Sequence, residues 1–336
     1  MNFGYREVCL EHDTGKRHPE SPDRLRAVRQ GLADCHGVEY AAPPDVDLDL
    51  ARRVHDADYI EEIEAFCAEG GGNWDADTVA GPSTWPAVRA SAGLAGGAAT
   101  AALDGATGRD TPFALSRPPG HHAIDNDAMG FCFLNNVVLG AQAALDRPAV
   151  DRVAILDWDV HHGNGGQDIC YHRGDIFNVS IHEDGLYPGT GEIEETGVGD
   201  GELYNLNVPF PPGTGTSGYL AALEDLILPA YRAYDPDLVL VSAGFDAHVH
   251  DPISRMRVST DGYGLLTQVL REFTDDIDAG LGFVLEGGYG LETLTDSIRT
   301  VHEVFDGYEP ERPEDDVDEG ARAVLETVRD QGFGSA

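Results

Sequence analysis

The chain has 336 residues, of which 60 are Asp or Glu and 22 are Lys or Arg, giving a formal net charge of −38, and Lys16 is its only lysine. That balance excludes nucleic-acid binding through a basic surface, and the length suits one large α/β domain with a sizeable core. Acid spread from end to end, with lysine nearly absent, fits a halophilic surface adapted to concentrated salt better than a local site for cationic ligands.

The N-terminal stretch "MNFGYREVCLEHDTGKRHPE" has no apolar core, and no uninterrupted apolar run approaches the roughly 20 residues of a membrane helix. Cys9, Cys35, Cys67, Cys132 and Cys170 form no CxxC pair and are odd in number, which points to a reducing compartment. A cytoplasmic protein without a membrane segment is expected.

In chain order, "TWPAVRASAGLAGGAATAALDG" from Thr84 reads as a helix, and "TPFALS" (Thr111 to Ser116) as a short buried strand. "RVAILD" (Arg152 to Asp157) and "IFNVSI" (Ile176 to Ile181) are further strands, followed by a long Gly-rich loop from His182 to Asn205. "GYLAALEDLILPAYRAY" from Gly218 is helical, while "LVLVSA" (Leu238 to Ala243) and "LGFVLE" (Leu281 to Glu286) complete the strand set. Alternating strands and helices predict a doubly wound α/β sheet, central and mostly parallel, with helices at its flanks. Residues 1–308 are assigned to this domain, and 309–336 to an acidic linker and a C-terminal helical tail whose loss should matter least.

The segments at the strand ends carry the chemistry: "LSRPPGHHA", "LDWDVHHGNG", "VSIHEDG", "SAGFDAH" and "LEGGYG". Ligand sites of open α/β sheets lie at the carboxyl ends of strands, so these clusters should converge on one site. In an extended chain Asp157, Asp159 and His161 share one face, with Trp158 and Val160 on the other. Two carboxylates and an imidazole can hold a metal ion, and Asp246 offers a further ligand just past another buried strand. Three protein ligands with one position left to water describe a catalytic zinc site. His121 and His122 suit general acid/base duty. Tyr289, after two glycines, can donate a hydrogen bond to developing negative charge.

The series "RPPGHHA", "GFCFLNN", "DWDVHHGNG", "YPGTGEI", "AGFDAH" and "EGGY", with the earlier "HPESPDRLRAV" and "DADT", resembles the zinc-dependent histone deacetylase family and its relatives, the acetylpolyamine amidohydrolases and acetoin-utilisation proteins. The resemblance runs from about His18 to about Tyr289 and implies an arginase/deacetylase-like fold. By matched position, Asp159, His161 and Asp246 are implied as ligands of one Zn2+, and Tyr289 as the residue that polarises the acetyl carbonyl. His121 and His122 match the paired catalytic histidines, backed by Asp157 and Asn164 respectively. The neutral Asn164 makes His122 less inclined to stay protonated, and His122 is favoured as the base.

Phe131 and Tyr187 match the walls of a narrow channel for an acetylated alkylamine, Asp77 a rim carboxylate, and Arg24 a buried arginine associated with product acetate. A structural K+ is implied at Asp157, Asp159, His161, Ser180 and Ile181, partly through main-chain carbonyls. The expected reaction is removal of acetyl groups from protein acetyl-lysine, with an acetylated polyamine as the alternative substrate and a non-catalytic acetyl-ligand binder as the alternative role. An arginase-like hydrolase with two manganese ions would need more bridging carboxylates than "AGFDAH" provides, and iron(II) remains an alternative to zinc.

The charge carries a prediction of its own. The Debye length shrinks from about 10 Å at 0.1 M salt to about 3 Å at 1 M, screening the mutual repulsion of the carboxylates. The melting temperature should therefore climb between dilute buffer and molar KCl. Equal stability in both would remove the salt-adapted reading.

Overall fold

The structure is a computed structural model that describes residues 1–333. Its strands are β1 (Asn2–Gly4), β2 (Glu39–Ala41), β3 (Gly72–Asn73), β4 (Val79–Ala80), β5 (Pro112–Ala114), β6 (Val153–Asp157), β7 (Ile176–Glu183), β8 (Asn205–Phe210), β9 (Leu238–Ala243) and β10 (Gly280–Leu285). Eight of them form one sheet in the order β2-β1-β5-β10-β9-β6-β7-β8, and β3 and β4 make a separate two-stranded pair. Every neighbouring pair in the large sheet is parallel. The central strands β6 and β9 are buried along their whole length, which is why they read as continuous apolar runs instead of alternating ones.

Helices Thr84–Leu103 and Asn136–Leu145 pack on each other and over β9. Helices Pro22–Leu32, Thr260–Ile277 and Leu291–Phe305 form a second packed group. Beneath the carboxyl end of the sheet, Trp158, Phe245, Tyr263 and Phe283 are fully buried and meet ring to ring, with Trp158 and Phe245 centroids 6.4 Å apart. This aromatic layer is a rigid floor for the segments that leave the strands.

The five strands read from sequence are present, whereas β1, β2 and β8 lie outside that reading. The first two are only three residues long. In β8 the apolar pattern is broken by Asn205 and Asn207, both buried, whose amides donate to the Gln167 side chain at 2.8 and 2.7 Å. The expected helix from Gly218 is also not uniform: α-helix at Thr216–Ala222 widens into a π-helical turn at Leu223–Ile227 and returns to α-helix at Leu228–Tyr234. Pro229 has no N–H and its ring would press on the carbonyl four residues back, and the wider turn gives it room.

The tail differs most from expectation. Helix Glu319–Asp330 lies against β8 and buries Ala321, Leu325 and Val328, while the Phe333 ring stands 6.3 Å from that of Phe177 on β7. Against the expectation that its loss matters least, this packing predicts that removing it would bare the apolar side of an edge strand. Leu325→Ala should lower the unfolding free energy by about 2–5 kcal/mol, and Glu326→Ala, on the exposed face of the same helix, should leave it nearly unchanged. Denaturant melts of the two variants check this, and equal midpoints would show the helix to be loosely held.

Candidate active site

Sheet register brings the chemical groups to one level. Asp157, the last residue of β6, lies opposite Ser180 on β7 and Ser242 on β9, and Ala243 lies opposite Leu285 on β10. The residues just beyond these positions leave the sheet side by side.

The ladder of β6 stops at Asp157, yet the alternation expected from an extended chain persists for another reason. Asp157 Oδ1 accepts the Asp159 N–H at 2.9 Å, and Asp159 Oδ1 accepts the His161 N–H at 2.9 Å. Each carboxylate thus caps the amide two residues on. Trp158 and Val160 are driven into the core, both at 0% exposure.

Asp246, from the segment after β9, accepts the Val160 N–H at Oδ1 (2.9 Å). Its Oδ2 lies 3.3 Å from His161 Nδ1, which is also 2.9 Å from Asp159 Oδ1. One ligand atom from each of Asp159, His161 and Asp246 falls within 4.8 Å of the others. Asp246 Oδ2 is buried and has no hydrogen-bond donor, while Asp159 Oδ2 accepts the Gly287 N–H at 2.8 Å. A Cβ at Gly287 would stand 2.1 Å from Asp246 Oδ2 and 2.4 Å from Asp159 Oδ2, so only a bare backbone can close this side.

Titration points the same way. Against the cost of burial, the two carboxylates push His161 well above the ordinary imidazole value. Burial and the neighbouring Asp159 push Asp246 up to about 6. Two buried carboxylates share one imidazole nitrogen, Asp246 Oδ2 from the longer distance of 3.3 Å, and such a set fits a divalent cation in place of the proton. The oxygen and nitrogen donors suit zinc.

His121 and His122 sit in the turn that follows β5, with ring centroids 4.0 Å apart. His121 Nδ1 is 2.9 Å from Asp157 Oδ2, and its Nε2 is 3.8 Å from Asp159 Oδ1. Burial works against protonation there, but Asp159 and Asp157 outweigh it and raise His121 to about 10. His122 Nδ1 lies 2.7 Å from Asn164 Oδ1, while Asn164 Nδ2 donates to the His122 carbonyl at 3.2 Å. That amide orientation puts the proton on Nδ1 and leaves Nε2 with a lone pair. Burial and the His121 and His161 cations hold His122 well below its ordinary value.

Tyr289 leaves β10 through Glu286, Gly287 and Gly288. Its ring meets Phe131 edge-on at 6.1 Å, and the Arg24 guanidinium lies 5.1 Å from its centroid. Tyr187 meets His122 edge-on at 5.0 Å, and a Cβ at Gly130 would stand 2.3 Å from the His122 ring, so the wall approaches through a residue without a side chain. Asp77 is exposed, its main-chain carbonyl faces His18 Nε2 at 2.9 Å, and burial and the adjacent Asp75 raise its carboxyl above the ordinary value. Arg24, fully buried, donates through Nε to the Gly288 carbonyl at 2.7 Å and through Nη2 to the Glu286 carbonyl. Around Asp157 both carboxylate oxygens are engaged, by Asp159 N–H and His121 Nδ1, and Ser180 Oγ accepts the Gly163 N–H at 3.3 Å.

Several neighbours of the site escaped the sequence reading. Glu286, 0% exposed, accepts the Gly120 N–H (2.7 Å) and His121 N–H (3.2 Å) on one oxygen and the Ser242 hydroxyl (3.1 Å) on the other. Its signal was an acid ending a buried strand. Glu20 and Arg117, also buried, pair at 2.7 Å behind Arg24. They come from segments 97 residues apart and have no local pattern to mark them.

Comparison with known proteins bears on these groups. The family model described as "Histone deacetylase domain" matches residues 18–305. A histone deacetylase-like amidohydrolase of Pseudomonas aeruginosa is 40% identical over 311 residues, spanning 85% of this chain and 81% of that protein. A probable deacetylase of Archaeoglobus fulgidus is 35% identical over 294 residues, 86% of this chain and 81% of its own. The crystal structure of the HDA15 HD domain superimposes with a TM-score of 0.89 at 33% identity, covering 98% of this chain and 93% of that one.

The geometry of the Asp159, His161 and Asp246 cluster makes a prediction. Equilibrium dialysis against zinc should find one tight site in the wild type and none in Asp246→Ala, with far-UV circular dichroism unchanged. Undiminished zinc binding by the variant would move the site elsewhere.

Proposed function

The chain belongs to the histone deacetylase family of hydrolases, and on that premise we propose that it is a zinc-dependent deacetylase that cleaves the amide of acetylated amines, acetyl-lysine in proteins first among them. The observation that carries the reading is the convergence of Asp159, His161 and Asp246 within 4.8 Å, with the tandem histidines beside them. Zinc held by these three residues would polarise the acetyl carbonyl and acidify a water to a pKa near ~7.

The chain's own groups supply the rest. The lone pair at His122 Nε2 takes the proton of the attacking water, and Asn164 keeps the opposite nitrogen protonated. His121, held charged by Asp159 and by its partner Asp157, offers positive potential beside the developing oxyanion. The Tyr289 hydroxyl donates a hydrogen bond to that oxygen. Collapse breaks the C–N bond, and a histidine gives its proton to the departing amine, leaving acetate. Asp157 both orients His121 and balances its charge, a role that its neutral counterpart Asn164 does not duplicate for His122.

Phe131 and Tyr187 flank the alkyl chain, and Asp77 accepts an N–H at the rim. Acetate is assigned to Arg24: its Nη1, 3.6 Å from Glu20 Oε1, and the Nη2 of neighbouring Arg117 are buried donors without a hydrogen bond, which a second carboxylate would supply. The structural K+ at Asp157, Asp159, His161, Ser180 and Ile181 and a cytoplasmic location belong to the same proposal. No helix among the described residues is long and apolar enough to cross a membrane.

A second substrate reading, an acetylated polyamine, is favoured by one feature: the neighbouring carboxyls of Asp75 and Asp77, which both act on Tyr187, repel each other, and a cationic tail would relieve that. In molar salt, kcat/KM for an acetyl-lysine peptide should exceed that for acetylspermidine, and the reverse order would transfer the assignment to the polyamine. Tyr289→Phe keeps the ring and removes the donor. It should lower kcat by about 10²-fold or more with KM little changed, and a rise in KM at constant kcat would make Tyr289 a binding group only.

A further inference from the structure

Tyr289 must present its hydroxyl at a fixed point relative to Asp246, yet its own backbone has little to hold it. It stands between Gly288, at φ +115°, and Gly290, in the link between β10 and helix Leu291–Phe305, beyond the last ladder bond of the sheet. Glycines on both sides leave the chain free to swing. Arg24 restrains the carbonyl of Gly288 on one side.

On the other side stands a carboxylate that belongs to none of the groups assigned so far. Asp251, 7% exposed, accepts the Tyr289 N–H at 2.7 Å and the Gly290 N–H at 3.0 Å, both on Oδ2. Its Oδ1 accepts the Ile253 N–H at 3.1 Å, and its own N–H donates to the His248 carbonyl at 2.8 Å. The same short loop is anchored to the metal-ligand segment, because the Ser254 hydroxyl donates to the main-chain carbonyl of Asp246 at 2.5 Å. A continuous set of hydrogen bonds therefore runs from the backbone of Asp246 to the backbone of Tyr289.

We infer that Asp251 is a positioning residue for Tyr289: its carboxylate fixes the phenol at the distance from the Asp159, His161 and Asp246 cluster that oxyanion stabilisation requires. The inference rests on the reading of Tyr289 as the oxyanion donor. A carboxylate bridging two consecutive amides is a strong, charge-assisted restraint. A displacement of about 1 Å at such a donor costs up to ~10²-fold in rate. Because Asp251 reaches the reaction only through Tyr289, its loss should act on kcat and leave KM and metal binding alone.

A double-mutant cycle on the zinc-loaded full chain tests this. In the wild-type background Asp251→Ala should lower kcat about 10-fold or more with KM and zinc stoichiometry unchanged, and Asp251→Asn, which keeps an acceptor for both amides, should recover most of the loss. In the Tyr289→Phe background the same Asp251→Ala change should alter kcat less than about 2-fold, since the group it positions is gone. Should Asp251→Ala fail to fold, Asp251→Glu, which moves the carboxylate out by one methylene, takes its place in the cycle with the same expectation. Equal losses in both backgrounds would overturn the positioning role and leave the reading of Tyr289 standing. A Tyr289→Phe enzyme with undiminished kcat would remove that reading, and the clamp with it.

Discussion

Two buried carboxylates and a partly exposed imidazole are held together at one point, and most of the surrounding structure answers to that constraint. Asp159 and Asp246 are both at 0% exposure, and Asp246 Oδ2 lacks any donor. Like charges in a low-dielectric interior repel strongly unless a cation or proton lies between them. The backbone contributes what it can: N–H groups of Val160 and Gly287 each cap one carboxylate oxygen. The remaining oxygens face His161 and the space that a cation would share. Bare glycine at 244 and 287 and the buried rings of Trp158 and Phe245 let the three segments come so close.

A second consequence is the division of labour between adjacent histidines. His121 and His122 have the same side chain and lie 4.0 Å apart, yet one is pushed up to about 10 and the other well below its usual value. Partner chemistry decides this. Asp159 and Asp157 bring negative charge to His121, whereas His122 is buried with only the Asn164 dipole beside it, and the His121 and His161 cations repel a proton there. Neighbouring groups of opposite protonation state are what the proposed activation of water would use, one accepting a proton while the other keeps its charge.

Around these groups the fold uses buried acids to hold the main chain. Glu286 takes the amides of the histidine turn and Asp251 those of the tyrosine turn, so each irregular segment leaving the sheet is held by a carboxylate instead of a strand neighbour. The interior acids contrast with those on the surface, which dominate the net charge of −38. Exposed carboxylates act collectively and are screened by salt; buried ones act singly through bonds of fixed length.

The sequence by itself determined the central strands β6, β9 and β10, because they are apolar runs whose burial needs no other information, and it marked the candidate groups, because His121, His122, Asp159, His161, Asp246 and Tyr289 each follow a strand within a few residues. Local rules reach that far. Partnership is another matter: that Glu286 meets the amides of residues 120 and 121, or that Asp251 meets Tyr289, depends on which strand ends become neighbours, and sheet order leaves no mark on the chain near either residue. The edge strand β8 shows the same limit, since Asn205 and Asn207 look unfit for a core until Gln167 is there to accept their hydrogen bonds. The last helix reads as an amphipathic segment with no assigned partner until β8 is there to receive Leu325 and Val328. Hydrophobic periodicity is a property of a segment, whereas a buried polar group is tolerated only by its partner, and partners are assigned by the tertiary fold.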